Sequence, residues 1–365
     1  MGVPEKIKKL EDELGKTKIN KSTEHHVGLL KAKLAKLRNQ QDEVRTKHTT
    51  RSTGYEVKKT ADATIALIGL PNVGKSSLLN KLTNANSKVG SYQFTTLTVV
   101  PGIMKYKHTS IQILDLPGII KGASRGKGFG KRILSVVRNA DLIIFMIDIF
   151  NSNIFQLLYD ELYEIGIRPN GIPPNIVIEK TQSGGTEIHS DVTLTHLSNK
   201  FVKDILRIHG IHHARINIKE DINYDQLLDV ILGNRKYVPY ITLLNKIDLV
   251  NSKFLSTVKS QSITSFIPIS TNTNKNITLL KNKIYNMLNF VQIYMKPQGK
   301  QTDYEEPMII RKGDKIVDVC NKIHRSLKTD FRYAKISGKS VKFNGQKVGL
   351  NHVLMDKDIL TFVTK

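Results

Sequence analysis

Apolar residues recur along this chain at two different spacings, and the changes from one to the other mark out its parts. Near the start, Ile7, Leu10 and Leu14, then Val27, Leu30, Leu34 and Leu37, stand three or four residues apart, the spacing of one helix face. Two helices are predicted over 5–45. Gly15 and the polar run to Thr23 separate them, and Ser22 or Thr23 with Glu24 can cap the second. Residues 46–60 are polar and read as a linker. From residue 63 the pattern shortens to compact apolar runs at 63–68, 111–114, 142–147, 241–244 and 266–269. Strands of a parallel sheet, buried on both faces, have this character. Leu279, Leu280, Ile284 and Leu288 close this part as a helix over 278–289.

One interval is too long for a simple alternation of strands and helices. Between residues 118 and 245 two strand–helix units of about 30 residues each suffice, leaving a surplus of roughly 65 residues, enough for a small inserted domain. The insertion is placed at 166–235, with strand-like segments at 175–179, 191–195 and 214–218 and helix-like runs near 198–208 and 223–232. After Pro297 and Gly299, Ile316, Val319, Ile323 and Leu327 form one helical stripe among short strands at 333–336, 340–343 and 359–363, the outline of a β-grasp. The expected fold class is α/β in four parts. These are a helical N-terminal module with linker (1–60), a nucleotide-binding core (61–165 and 236–291), an inserted α+β domain (166–235) and a C-terminal β-grasp (292–365).

Composition narrows the setting. Among 365 residues, 56 Lys and Arg face 32 Asp and Glu, for a net charge of +24. The excess sits mainly at the ends: 1–60 and 292–365 each carry 15 basic and 8 acidic residues, whereas 166–235 carries 8 of each. Such a field favours polyanions, with nucleic acid ahead of an anionic membrane surface. The single cysteine, Cys320, excludes a disulfide framework or a cysteine-based zinc site and fits a reducing compartment. The charged N-terminus has no apolar core of a signal peptide, and no apolar run is long enough to span a bilayer. A cytoplasmic protein without integral membrane association is expected. The sequence is silent on oligomeric state.

The chemistry concentrates in four motifs. Gly69, Leu70, Pro71, Asn72, Val73, Gly74, Lys75 and Ser76 form a phosphate-binding loop between a predicted strand and a predicted helix. Its glycines let main-chain N–H groups wrap phosphates at the positive end of the helix, beside Ser77. Lys75 is expected on the β- and γ-phosphates and Ser76 on magnesium. Asp115 and Gly118 end the strand beginning at Ile111, where the carboxylate can hold the same magnesium and the Gly118 N–H can sense the γ-phosphate. Thr96, preferred to Thr95, can close over the metal in one nucleotide state and release it in the other. Asn245, Lys246 and Asp248 follow the run 241–244. A carboxylate only accepts hydrogen bonds, so Asp248 suits guanine, which offers N1–H and an exocyclic amine, and rejects adenine. Asn245 is expected on the N7/O6 edge, Lys246 along the base, and Ser270 at the wall of the pocket.

Together these predict GTP and GDP as ligands and GTP hydrolysis as the reaction. Residue 119 is isoleucine where Ras-type enzymes carry a water-orienting glutamine, so slow intrinsic turnover is expected. The Asn72 amide oxygen, beside the phosphates, suits a monovalent cation, and stimulation by potassium over sodium is the corresponding expectation. Gly122, Gly126, Gly128 and Gly130 alternate with Lys121, Arg125, Lys127, Lys131 and Arg132, which reads as a charged switch loop.

Four longer segments carry a family resemblance: 115–137 (DLPGIIKGASRGKGFGKRILSVV), 166–178 (GIRPNGIPPNIVI), 233–249 (GNRKYVPYITLLNKIDL) and 294–304 (YMKPQGKQTDY). With them the chain resembles the developmentally regulated GTP-binding (Drg) proteins of the Obg-related GTPases over nearly its whole length. The resemblance implies a TGS domain, a ubiquitin-like β-grasp, at the C-terminus. It also implies ribosome and translation association and a regulatory protein partner. Asn72 departs from the serine expected in many Drg proteins and is more like Obg itself. An alternative of a different class is a nucleotide-gated scaffold that binds a protein or small ligand through TGS without touching the ribosome. An ATPase reading is disfavoured by Asp248, which the ATP-preferring branch lacks.

Overall fold

The computed structural model describes residues 2–18, 23–48, 61–83, 100–116, 136–151, 154–261 and 265–364. Two compact units emerge, one formed by residues 1–55 with 166–237, the other by 56–165 with 238–365.

In the first unit, α1 (Val3–Lys16) and α2 (Glu24–His48) lead into the chain. The α2 helix lies against the inserted segment, and the reason is small residues at the contact. Ala32 is fully buried, and a Cβ at Gly28 would meet the Phe201 ring at 2.4 Å. Lys36 donates to the Ile208 carbonyl at 2.6 Å, tying the helix further along.

The second unit holds a six-stranded sheet in the order β11-β10-β4-β1-β3-β2. Its strands are β1 (Ala63–Ile68), β2 (Val100–Tyr106), β3 (Thr109–Asp115), β4 (Leu142–Asp148), β10 (Tyr240–Asn245) and β11 (Ile267–Pro268). All neighbours run parallel except the β2–β3 hairpin. The runs 63–68 and 142–147 are strand and fully buried. The β2 strand was missed because Pro101 and Gly102 interrupt its pattern. At an edge both are tolerated, and Gly102 lets the α3 helix (Lys75–Leu82) approach, since a Cβ there would stand 2.5 Å from Thr83 Cγ2. Lys75, Leu78, Leu79 and Leu82 form the buried face of α3. Across the sheet, Phe145, Phe155 of α4 (Ile154–Glu164) and Tyr240 make an aromatic cluster with centroids 5.3–5.8 Å apart.

The inserted segment of the first unit begins at β5 (Ile167–Pro169), which pairs with β9 (Lys236–Val238) as a ribbon. Between them β6 (Ile176–Lys180), β7 (Thr186–Ser190) and β8 (Ala214–Ile218) form a sheet covered by α5 (Asn199–Ile208) and α6 (Tyr224–Leu232). The strand expected at 191–195 is not one. The strand lies five residues earlier, after Gly184 and Gly185, whose φ values of 97° and 77° make the turn. Residues near 195 instead bind Asp221: Thr195 donates its N–H to that carboxylate at 3.0 Å.

After α7 (Ser252–Gln261) and α8 (Ile277–Met287), the C-terminal part folds as β12 (Phe290–Met295), β13 (Met308–Arg311), α9 (Ile316–Ile323), α10 (Arg325–Asp330), β14 (Phe331–Ser337), β15 (Gln346–Val348) and β16 (Ile359–Thr364). Its five strands, in the order β13-β12-β16-β14-β15, pack on the helices as a β-grasp. Two expectations are corrected here. The single helical stripe through Leu327 is two helices, broken at His324, whose ring accepts from the Ser326 N–H and starts the second. The strand expected at 340–343 is a turn, and Phe343 is exposed. The strand follows Gly345, at φ 82°, over 346–348.

This C-terminal part is joined to the amino-terminal end of the large sheet. Arg311 donates to the Leu288 carbonyl at 3.0 Å and the Asp62 carbonyl at 3.2 Å, pairs with Asp141 at 3.2 Å and lies over the Phe290 ring at 5.0 Å. Lys322 reaches the Ile309 carbonyl at 2.6 Å and the Asp62 carboxylate at 3.3 Å. Each carboxylate also accepts a strand N–H at 2.9 Å, Asp62 from Ser110 and Asp141 from Thr64.

Candidate nucleotide site

Parallel strands bring their carboxyl ends to one rim, where open α/β sheets bind ligands. That rim collects the ends of β1, β3, β4, β10 and β11, and with them most of the residues singled out above. The loop 69–74 joins β1 to α3. Gly69 admits no side chain, because a Cβ would meet the Met146 carbonyl oxygen at 2.4 Å. Pro71 and the left-handed Asn72 (φ 62°) are exposed at its crest, and Val73 is buried beneath. Gly74, at φ 98°, precedes α3, and a Cβ there would stand 2.5 Å from the Asn245 side-chain nitrogen.

Lys75 opens α3 and is 8% exposed. Its ammonium donates to the carbonyls of Gly69 at 3.0 Å and Leu70 at 2.9 Å. Burial pushes its pKa down, against the attraction of Asp115. Asp115 ends β3 and is 7% exposed. Burial raises its pKa, while the Lys75 charge and the Ser76 hydroxyl oppose the rise. The Ser76 hydroxyl donates to Asp115 Oδ2 at 3.1 Å, whereas Asp115 Oδ1 is buried with no hydrogen-bond partner among the described residues. A hydroxyl and a carboxylate with a spare oxygen are the hard donors magnesium takes, so the donor set fits that ion. Ser77 is exposed one position further along α3.

On the base side, Asn245 ends β10 at 1% exposure. Its amide nitrogen donates to the Val73 carbonyl at 2.8 Å and the Thr271 hydroxyl at 3.3 Å, and its oxygen accepts from the Thr271 N–H at 3.1 Å. The expected base-edge contact therefore competes with a clamp that ties the phosphate loop to the loop after β11. Lys246 follows in the left-handed region, at φ 65°, with its ammonium on Asp148. Asp248 is exposed, and hydrogen bonds from Ser270 and Asn272 hold its carboxyl below the usual range. Ser270 is fully buried and accepts from the Thr273 N–H at 3.0 Å. Thr96, Gly118 and the glycine-rich segment from Gly122 to Arg132 lie outside the described residues.

Sequence reading missed Asp148 and Thr271. Asp148 was signalled only as the one charge ending an otherwise apolar run. Thr271 adjoins Ser270 and acts through its main-chain N–H as well as its hydroxyl, and the main-chain part is invisible to any side-chain pattern. Among the described residues, no three His, Cys, Asp or Glu group as a metal cluster, and no helix is long and apolar enough to cross a membrane.

A phosphate loop, a serine–aspartate pair and a clamped Asn-Lys-x-Asp turn on one sheet rim define a P-loop GTPase. Comparison with known proteins agrees. Residues 64–180 match the family model described as "50S ribosome-binding GTPase", 183–290 match the C-terminal region of that domain, and 291–364 match the TGS domain. An uncharacterized GTP-binding protein of Methanocaldococcus jannaschii is 49% identical over 100% of this chain and 94% of its own length. The human developmentally-regulated GTP-binding protein 2 is 41% identical over 100% of both. The solved YchF GTPase of Schizosaccharomyces pombe superposes with a TM-score of 0.44 at 16% identity, covering 83% of this chain and 98% of that one. The chain belongs to the Drg family of GTP-binding proteins, and it is a GTP-binding GTPase.

Proposed function

We propose that this chain is a guanine-nucleotide switch whose bound state governs its association with the ribosome or its RNA in the cytoplasm. The observation that carries the nucleotide part is the Asn245 clamp, which holds phosphate loop and base-side loop as one receptor. In this reading Gly69, Pro71, Asn72, Val73, Gly74, Lys75, Ser76 and Ser77 wrap the phosphates, with Lys75 on the β- and γ-groups. Displacing its carbonyl bonds to Gly69 and Leu70 frees the ammonium for that task. Asp248 accepts from guanine N1–H and the amine, the Lys246 stem lies along the base, and Asn245 and Ser270 hold the pocket in shape. Ser76 and Asp115 hold magnesium, with Thr96 as a further ligand, and the ion's charge would balance that of the phosphates. Gly118 senses the γ-phosphate.

The base assignment predicts that Asp248→Ala loses the preference for GTP over ATP. A site built on such pairing discriminates by about 10⁴-fold or more. Wild-type protein that binds both nucleotides alike in competition titrations would sink the assignment. Turnover is expected to be slow, on the order of 10⁻⁴–10⁻² s⁻¹, because no glutamine follows Gly118. Asn72, exposed at the crest of the loop, is read as a ligand for potassium, and equal rates in potassium and sodium would remove that role.

The ribosome part is supported by the basic excess at both ends of the chain and by the match to the family of 50S ribosome-binding GTPases. It is tested by co-sedimentation with ribosomes at physiological salt, because non-specific RNA binding falls steeply as salt rises. Binding that increases with a non-hydrolysable GTP analogue over GDP is expected. Binding that is absent or blind to nucleotide overturns it, and leaves the scaffold reading, with a regulatory protein or small ligand on the TGS domain.

A further inference from the structure

Asp148 has no part in the scheme above, yet its placement is unusual for a carboxylate. It ends β4 after six fully buried apolar residues, and is itself 7% exposed. A buried carboxylate is costly unless both its oxygens are engaged. Here one oxygen accepts the Phe150 N–H at 2.9 Å, and the other takes the Lys246 ammonium. The two partners are brought together by the sheet: Asp148 is the register neighbour of Asn245, and the Ile149 N–H continues the ladder to the Asn245 carbonyl at 3.2 Å. Lys246 follows at once, in a left-handed conformation that turns its side chain back toward the neighbouring strand. The carboxylate is thus immobilised by main chain on one side and aimed at a lysine on the other.

A free lysine stem samples many rotamers, and ordering it costs conformational entropy. An anchor at its tip removes most of that cost before ligand arrives. We infer that Asp148 is a positioning residue for guanine-nucleotide binding: it grips the Lys246 ammonium so that the stem is preset as a wall for the base. This rests on the base-recognition reading given above.

The test is a double-mutant cycle in the full-length protein, read as the dissociation rate of a fluorescent GDP analogue in stopped flow. Asp148→Asn keeps an oxygen for the Phe150 N–H and removes only the charge, so an unchanged melting temperature checks the fold. Alone it is expected to speed release about tenfold, the scale of one charge-assisted hydrogen bond. Lys246→Met is expected to speed release as well, and adding Asp148→Asn to it should change nothing further. If Asp148→Asn has the same effect with or without the lysine, or slows release, the positioning role is overturned. If Lys246→Met alone leaves the rate unchanged, the base-wall reading of Lys246 fails instead. Should Asp148→Asn not fold, Asp148→Glu in the Lys246→Met background replaces it, with the same requirement of no added effect.

Discussion

The two ends of the large sheet are built from similar parts and put them to opposite use. At the amino ends of β1 and β4, Asp62 and Asp141 each accept a strand N–H and face a cation from the C-terminal part, Arg311 or Lys322. Every one of those charges is engaged. At the carboxyl rim, Asp115 keeps one buried oxygen without a partner among the described residues, and Lys75 is buried with only carbonyls to bond. The difference teaches which end is a joint and which is a site. Satisfied charge stabilises, and buried charge left short of partners marks a place where a ligand completes the set.

Mutation should separate the two ends cleanly. The largest effect is expected at the rim. Lys75→Met should lower GTP turnover by about 100-fold or more, the scale of losing a preorganised cation. The same change should leave the melting temperature level or higher, because the cost of burying the Lys75 charge outweighs its attraction to Asp115. A fall in stability together with activity would break the comparison. Gly74→Ala comes next. It forces a side chain at φ 98° against Asn245, a strain of about 1–3 kcal/mol. Nucleotide affinity should fall by roughly the corresponding 5- to 150-fold in equilibrium titration.

At the other end the expected sign reverses. Arg311→Ala removes the cation paired with Asp141 and the donor to two carbonyls, and should cost about 2 kcal/mol in denaturant unfolding, while GTP turnover stays within about twofold. Lys322→Ala should cost less, about 0.5 kcal/mol, because its pair with Asp62 is half exposed and screened by solvent. A turnover change as large as the Lys75 variant's in either protein would mean that the joint is part of the switch.

Legibility in the sequence followed the same division. Runs fully buried on both faces announced themselves, so β1 and β4 were legible from their apolar content alone. The phosphate loop was legible because its residue types have few other uses in that spacing. What escaped were features created by adjacency. The edge strand β2 carries Pro101 and Gly102, which only an edge position and a close helix make tolerable. Asp148 has meaning only once β4 and β10 lie side by side. The helix break at His324 depends on a side-chain cap that competes with an intact apolar stripe. Between 184 and 195 the strand signal lay in a polar alternation, weaker than that of the neighbouring segment that turned out to be a loop.

The Asn245 clamp has a consequence for how the protein loosens. One amide group bonds the Val73 carbonyl at one tip and the Thr271 main-chain N–H at the other. The Thr271 amide proton therefore exchanges with solvent when the clamp opens, and a swing of the Asn245 amide also gives up its hold on Val73 in the phosphate loop. A single backbone proton on the base side becomes a clock for disorder on the phosphate side, readable without labelling either loop.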